Sequence, residues 1–446
     1  MKQTFAESQL ENIATRLENP QSAIRNPQTR EPIHVVYGGA NLFTAETTGK
    51  LGRIALKSLQ DYVPTTVDFA EIFNLKSETA ETVFERVVEK LGREAVEDFR
   101  IDFEDGYGFR DNAEEDTHAI SASSELARAF HEKTISPFSG FRVKSFQPET
   151  AKRAIRTLDL FLTNLLDKTG GKLPENFVVT LPKVERAEQV SALIELLAEF
   201  ERQNDLPENL LNIEILIETP EAIVNERGEI NLRKLVEAAN GRCAAAHFGA
   251  YDFTSAFGIT AEYQDLKHPL CDFARNWMQI ALAPMGIRLS DSVTTLMPVA
   301  VHRGENLSET QIQENRAAVH AAWREHFQNV TRSLSNGFYQ SWDLHPAQLI
   351  PRYVAVYSFF LNSLESSAKR LRGFLDKATK ASLTGNQFDD AASANGLLNF
   401  FNRGLNCGAI DESEISAKTS LTLAELRSGS FLKIISQKSV KNLQTP

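Results

Sequence analysis

Hydrophobic positions along the chain switch between two periods. IHVVYGGANLF (33–43), FRIDFEDG (99–106), FRVKSF (141–146), FVVTLPKV (177–184), LNIEILIETPEAI (211–223) and RCAAAHFGAYDF (242–253) are short buried runs that predict strands. Between them, residues 51–63, 81–98, 118–133, 149–171, 187–204 and 232–241 carry apolar residues at helical spacing. TTLMPVAVH (294–302) and the stretch around GFYQSWDLHPAQL (337–349) are further strand candidates, with a helix over 309–328 between them. Strands that alternate with amphipathic helices predict a parallel α/β fold, and about eight such units close a (β/α)8 TIM barrel. A doubly wound open sheet is the alternative, but no GxGxxG turn follows any strand. The expected organisation is an N-terminal helical arm (1–30), a TIM-barrel domain (31–350) and a C-terminal helical region (351–446) with no strand between its helices.

Composition narrows the classes of function. The chain has 446 residues, 42% of them hydrophobic and 24% charged, which is ordinary globular content. A core of that size needs no disulfide or structural metal. The formal net charge of -11 and the pI near 5.5 argue against nucleic-acid binding, which depends on clustered Lys and Arg. The cysteines Cys243, Cys271 and Cys407 are far apart and fit a reducing cytoplasm, the expected location. The first twenty residues carry charge throughout, unlike a secretory signal, and no apolar run reaches a membrane span.

In a TIM barrel, the C-terminal strand ends and the loops beyond them build the active site. The notable polar residues fall there. Glu104 and Asp105 close one strand, Lys183 another, and Glu218 and Thr219 a third. His247 and Asp252 sit at and just after the end of CAAAHFG, and Arg142 lies near the start of FRVKSF. Glu218 and Asp252 come from consecutive strands, and two neighbouring carboxylates suit Mg2+, with Mn2+ an equivalent octahedral oxygen site. Such a metal would chelate a 2-oxo acid and stabilise an enolate, with Arg142 as a fork for the carboxylate. Each residue alone also has a plainer reading. Thr219 and Pro220 fit the cap and first position of a helix, Lys183 fits a solvated side chain, and His247 fits a satisfied core histidine.

The ordered set DFEDG (102–106), FRVKS (141–145), LPKVE (181–185), IETPEAI (217–223), FGAYDF (248–253) and DLHPAQ (343–348) resembles the HpcH/HpaI aldolase and citrate lyase beta-subunit superfamily. The resemblance covers roughly residues 33 to 350. It implies a Mg2+-dependent TIM barrel that cleaves or forms C–C bonds in 2-oxo acids or acyl-CoA thioesters. It further implies that Glu218 and Asp252 ligate the metal, that Arg142 binds a substrate carboxylate, and that Glu104 and Asp105 orient metal-bound water. The chain departs from the family at Lys144, where Asn is common, and in its longer barrel and N-terminal arm.

QFDDAASANG (387–396) resembles a segment of malate synthases, in which an Asp from a C-terminal helical domain enolises acetyl-CoA. By that analogy Asp390 is a catalytic base; the plain alternative is a helix cap. Two further readings share the barrel: phosphotransfer on phosphoenolpyruvate or pyruvate, for which no P-loop is present, and a catalytically silent metabolite-binding barrel. The implied partners are a small 2-oxo acid or an acyl-CoA, with a homo-oligomer as the expected assembly and neither nucleic acid nor membrane.

Overall fold

The computed structural model describes residues 30–376, 382–384, 387–389, 391–431 and 433–435. The expected arm over 1–30 lies outside these residues except for Arg30, and so does Asp390. Eight parallel strands close a barrel in sequence order: β1 (His34–Gly39), β2 (Asp98–Asp102), β3 (Phe138–Arg142), β4 (Phe177–Leu181), β5 (Asn212–Ile217), β6 (Cys243–Phe248), β7 (Arg288–Val293) and β8 (Gln340–Asp343). β1 pairs with both β2 and β8, which closes the ring. The fold is a (β/α)8 TIM barrel.

Helices follow each strand. After β1 come α1 (Thr47–Tyr62), α2 (Thr66–Phe73) and α3 (Ser77–Arg93). Single long helices follow β2, β3 and β4: α4 (Asn112–Glu132), α5 (Ala151–Lys168) and α6 (Ala187–Gln203). Two short helices, α7 (Pro220–Ile223) and α8 (Leu232–Glu237), follow β5, and α9 (Ala250–Ala256) and α10 (Pro269–Leu282) follow β6. α11 (Glu309–Ser335) and α12 (Leu349–Asp376) follow β7 and β8. Beyond them lie a short antiparallel pair, β9 (Ser382–Thr384) and β10 (Gln387–Asp389), and the helices α13 (Ala391–Asn406), α14 (Glu412–Thr419) and α15 (Leu423–Arg427). The antiparallel pair corrects the expectation of an all-helical C-terminal region.

Two strand placements also change. The seventh strand is RLSDSV, not TTLMPVAVH, which is irregular. β7 escapes the hydrophobic pattern because its polar side chains find buried partners: Arg288 Nη2 is 2.6 Å from Glu214 and Asp291 is 2.8 Å from Arg275 Nε. β3 begins at Phe138, three residues before the expected FRVKSF run, so Arg142 is its last residue and not near its start. That shift brings Arg142 to the C-terminal end of the barrel strands.

The core has two parts. Most of it lies between the sheet and the helices, for example the stacked Phe141 and Phe161 rings 4.1 Å apart. A smaller cluster, Val35, Tyr37, Leu216, Val293 and Trp342, fills the barrel interior. Below it the interior is ionic. Glu214 sits 2.7 Å from Arg100, 2.6 Å from Arg288 and 3.1 Å from His247, while Arg100 also pairs with Asp98. Burial opposes the charge on Glu214, but Arg100, His247 and Arg288 hold its carboxyl well below the usual range. Among the described residues, no helix is long and apolar enough to cross a membrane.

Candidate active site

Side chains of a strand alternate between the barrel interior and the helix layer. In β2 this sends Asp98, Arg100 and Asp102 inward and Phe99 and Ile101 outward, so Asp102 stands at the mouth. Asp102 does two jobs there. Its carboxylate accepts the backbone N–H groups of Glu104 (3.0 Å) and Gly106 (2.7 Å), which curls the DFEDG turn. It also accepts Arg142 Nε at 2.7 Å and Nη2 at 2.6 Å, a bidentate pair across neighbouring strands. Gly106 is obligatory in this turn, since a Cβ would stand 2.6 Å from Asp102 Oδ2.

Arg142 is buried, with its guanidinium 4.8 Å from the centre of the Tyr37 ring. Tyr37 in turn stacks on Trp342 at 4.6 Å, and the two rings form the floor. The outer nitrogen of Arg142, Nη1, lies 2.9 Å from Glu104 Oε2 and 3.7 Å from Asp105. Burial opposes the Arg142 charge, but Asp102 and Glu104 hold it firmly protonated. Much of this fork is therefore already spent on the protein's own carboxylates.

Lys183 lies just past β4, the strand next to the one that carries Arg142. Its backbone is left-handed, φ 51°, a conformation that costs a non-glycine residue roughly 1 kcal/mol. The turn aims its N–H at Glu218 Oε1, 2.6 Å away, while its ammonium reaches Glu104 (2.7 Å), Asp105 (3.4 Å) and Asp252 (3.5 Å). Asp252 lies in the first turn of α9, and Glu218 follows β5. Gly249, between them, lets the two elements meet: a Cβ there would stand 2.5 Å from Glu218 Cβ and 2.6 Å from its Oε2.

The electrostatics of this cluster are unbalanced. Burial, then Glu104 and Asp252, push the Glu218 carboxyl up to about 8. Burial also pushes Glu104 up. Burial opposes the charge on Asp105, but Arg142 and Lys183 hold it below its usual range. Glu104 Oε2 is buried and, despite its nearness to Arg142, accepts no hydrogen bond. Among the described residues, no group of three or more His, Cys, Asp or Glu side chains stands ready to hold a metal. Mg2+ asks for less: one or two carboxylates suffice, with water and substrate oxygens completing the shell. The all-oxygen donor set and the excess of carboxylates fit such an ion.

Of the residues singled out in the sequence, Glu104, Asp105, Arg142, Lys183, Glu218 and Asp252 come together. His247 stands apart in the barrel interior. Its Nε2 faces Glu214 at 3.1 Å and its Nδ1 accepts the Trp342 indole N–H at 3.2 Å, so the ring supports the floor. Thr219 caps α7 by accepting the Ala222 N–H at 3.3 Å, with Pro220 at the first position. Asp390 lies outside the described residues. Two further residues shape the site. Asp102 was legible as the third member of an inward i, i+2, i+4 series of charges in β2. Lys144 carries no such signal: its ammonium supports the DFEDG turn from behind, 2.7 Å from the Phe103 carbonyl and 2.8 Å from Glu115 of α4.

The family of a domain of unknown function, DUF6986, matches residues 21–434. No curated protein matches the chain in sequence. Among solved structures, a citrate lyase from Burkholderia xenovorans LB400 is similar in fold. It has 17% identity and a TM-score of 0.54, and the alignment covers 89% of this chain and 99% of that one. A malate synthase from Haloferax volcanii, described as a magnesium/glyoxylate complex, has 13% identity and a TM-score of 0.47, over 94% of this chain and 93% of that one.

Proposed function

The chain belongs to the DUF6986 family, and we propose that it is a Mg2+-dependent carbon–carbon lyase or aldolase that acts on a 2-oxo acid or a hydroxyacyl-CoA. The observation that carries this reading is the charge balance at the barrel mouth. Five carboxyl groups, Asp102, Glu104, Asp105, Glu218 and Asp252, crowd two cations, Arg142 and Lys183, and the crowding with burial raises Glu218 to about 8, so that it keeps its proton at neutral pH until a further cation joins it. An anionic substrate would be repelled from that mouth unless a further cation joined it.

Glu218 and Asp252 would hold the ion. Bound there, Mg2+ would supply Lewis-acid stabilisation of the negative charge that grows on the oxo oxygen as the C–C bond breaks. The chain's own residues do the rest. Asp102 locks the Arg142 fork in one orientation, and a substrate carboxylate would take the outer Nη1 edge in place of Glu104 Oε2, which faces it at 2.9 Å. Glu104 suits proton transfer, because burial raises its proton affinity and its Oε2 accepts no hydrogen bond. The Tyr37–Trp342 stack supplies an apolar floor beneath the reacting carbons.

The test is turnover of a panel of 2-oxo acids, hydroxy-2-oxo acids and hydroxyacyl-CoA thioesters, with Mg2+ and with a chelator. Cleavage that appears with Mg2+, vanishes with chelator and is abolished in Glu218→Gln and Asp252→Asn is the expected outcome. Turnover that survives chelation or either substitution would sink the proposal.

A further inference from the structure

We infer that Lys183 is an internal counter-ion, which occupies the carboxylate cage of the cation-free protein and competes with the divalent ion for Asp252. This deepens the proposed function and rests on its metal site.

The argument begins with where the chain spends strain. Lys183 takes a left-handed backbone conformation at a position where the sequence supplies no glycine. That one residue addresses every carboxylate around the proposed ion except Asp102. Its N–H holds Glu218 at 2.6 Å, and its ammonium lies 2.7 Å from Glu104, 3.4 Å from Asp105 and 3.5 Å from Asp252. Among the described residues, Lys183 is the only cation paired with Asp252. Arg142 cannot take this part, because Asp102 grips its fork from two sides.

A compact ammonium on a four-carbon stem is the side chain best able to stand in for a metal and then leave. The Lys183 side chain is 29% exposed, so it has an exit toward solvent, whereas Arg142 at 4% has none. A divalent ion held by Glu218 and Asp252 would share acidic neighbours with the ammonium. Like charges in so small a space repel strongly at a partly screened site. Binding of the ion therefore moves the ammonium off Asp252, while the backbone N–H of Lys183, which no substitution to another non-proline residue removes, stays on Glu218. The device keeps the carboxylates gathered before the ion arrives, at a cost in metal affinity.

The test measures Mn2+ binding, with no substrate, through loss of the free aqueous Mn2+ signal in electron paramagnetic resonance. Wild type is compared with Lys183→Met and Lys183→Gln, which remove the charge, and with Lys183→Arg, which keeps it. The expected result is Mn2+ binding about tenfold tighter or more in the two neutral variants, as the lost repulsion requires. Lys183→Arg should stay close to wild type, and adding Glu218→Gln to Lys183→Met should erase the gain. Wild-type binding with equal or weaker binding in both neutral variants would overturn the counter-ion role and leave the metal site standing. A gain that survives Glu218→Gln would overturn it too, because the ion would then sit elsewhere. No Mn2+ binding by any of the proteins would overturn both the counter-ion and the metal site.

Discussion

Glu218 shows how one residue is tuned against its own stability. A carboxyl whose folded pKa is raised from 4.5 to about 8 prefers its proton in the folded state. Its contribution is unchanged below the unfolded value, and it destabilises the fold increasingly as pH rises from about 4.5 to 8. In metal-free protein, Glu218→Gln should therefore be more stable than wild type by about 1–3 kcal/mol near pH 8–9, with the difference shrinking toward pH 5. Urea unfolding at both pH values checks this, and equal stabilities at high pH would contradict it. Arg142 is tuned the other way. Its removal leaves Asp102 and Glu104 buried beside no guanidinium, so Arg142→Ala should lose about 3–5 kcal/mol in the same assay. A large rise in KM with no loss of stability would show that the fork serves substrate alone.

At the scale of elements, glycines decide how closely the loops approach. Gly249 ends β6 against the Glu218 side chain, and a methyl group there collides with Glu218 Cβ and Oε2. Gly249→Ala should displace the carboxylate and weaken Mn2+ binding by at least about tenfold, while costing only about 1–3 kcal/mol of stability. Isothermal titration beside thermal unfolding separates the two effects; unchanged Mn2+ affinity would mean that Glu218 does not hold the ion. The elements also explain what was legible in the sequence. β1 to β6 announce themselves because their outward faces are apolar and their polar ends stand at the mouth. β7 hides, because Ser290 and Asp291 are buried, Arg288 is half-buried and all three are partnered, and a hydrophobic pattern cannot foresee a partner supplied by Glu214 or Arg275. The position of Arg142 went astray for a related reason. Phe138, Ser139 and Gly140 lack a β-branched signal, so the hydrophobic pattern shows β3 only from Phe141. Six of the nine candidate residues gather at one mouth because the strand-end rule is geometric. His247 fell beneath the floor because alternation alone does not report depth.

Across the whole molecule, buried charge ties the barrel to its helices. Asp343, the last residue of β8, meets Arg352 of α12 at 2.8 Å, His326 of α11 at 2.8 Å and His34 of β1 at 2.9 Å. Burial opposes its ionisation, but Arg352, His326 and His34 hold the carboxyl well below the usual range. A depressed folded pKa contributes stability above the unfolded value that is lost as pH falls through the folded one. Asp343→Asn should thus cost about 3–5 kcal/mol at neutral pH, and the gap to wild type should begin to shrink only below about pH 4 and narrow further as pH falls. A variant as stable as wild type at pH 7 would remove this network from the account. The same barrel that hides one set of charges at the β8–β1 seam gathers another at its mouth, where the carboxylates outnumber their cations. That surplus is the basis of the proposed chemistry. It is tested most directly by anomalous diffraction from crystals of the protein soaked in Mn2+. The account predicts a peak within about 2.2 Å of carboxylate oxygens of both Glu218 and Asp252, with the Lys183 ammonium withdrawn from Asp252. A cage still filled by Lys183, with no peak between Glu218 and Asp252, would contradict it.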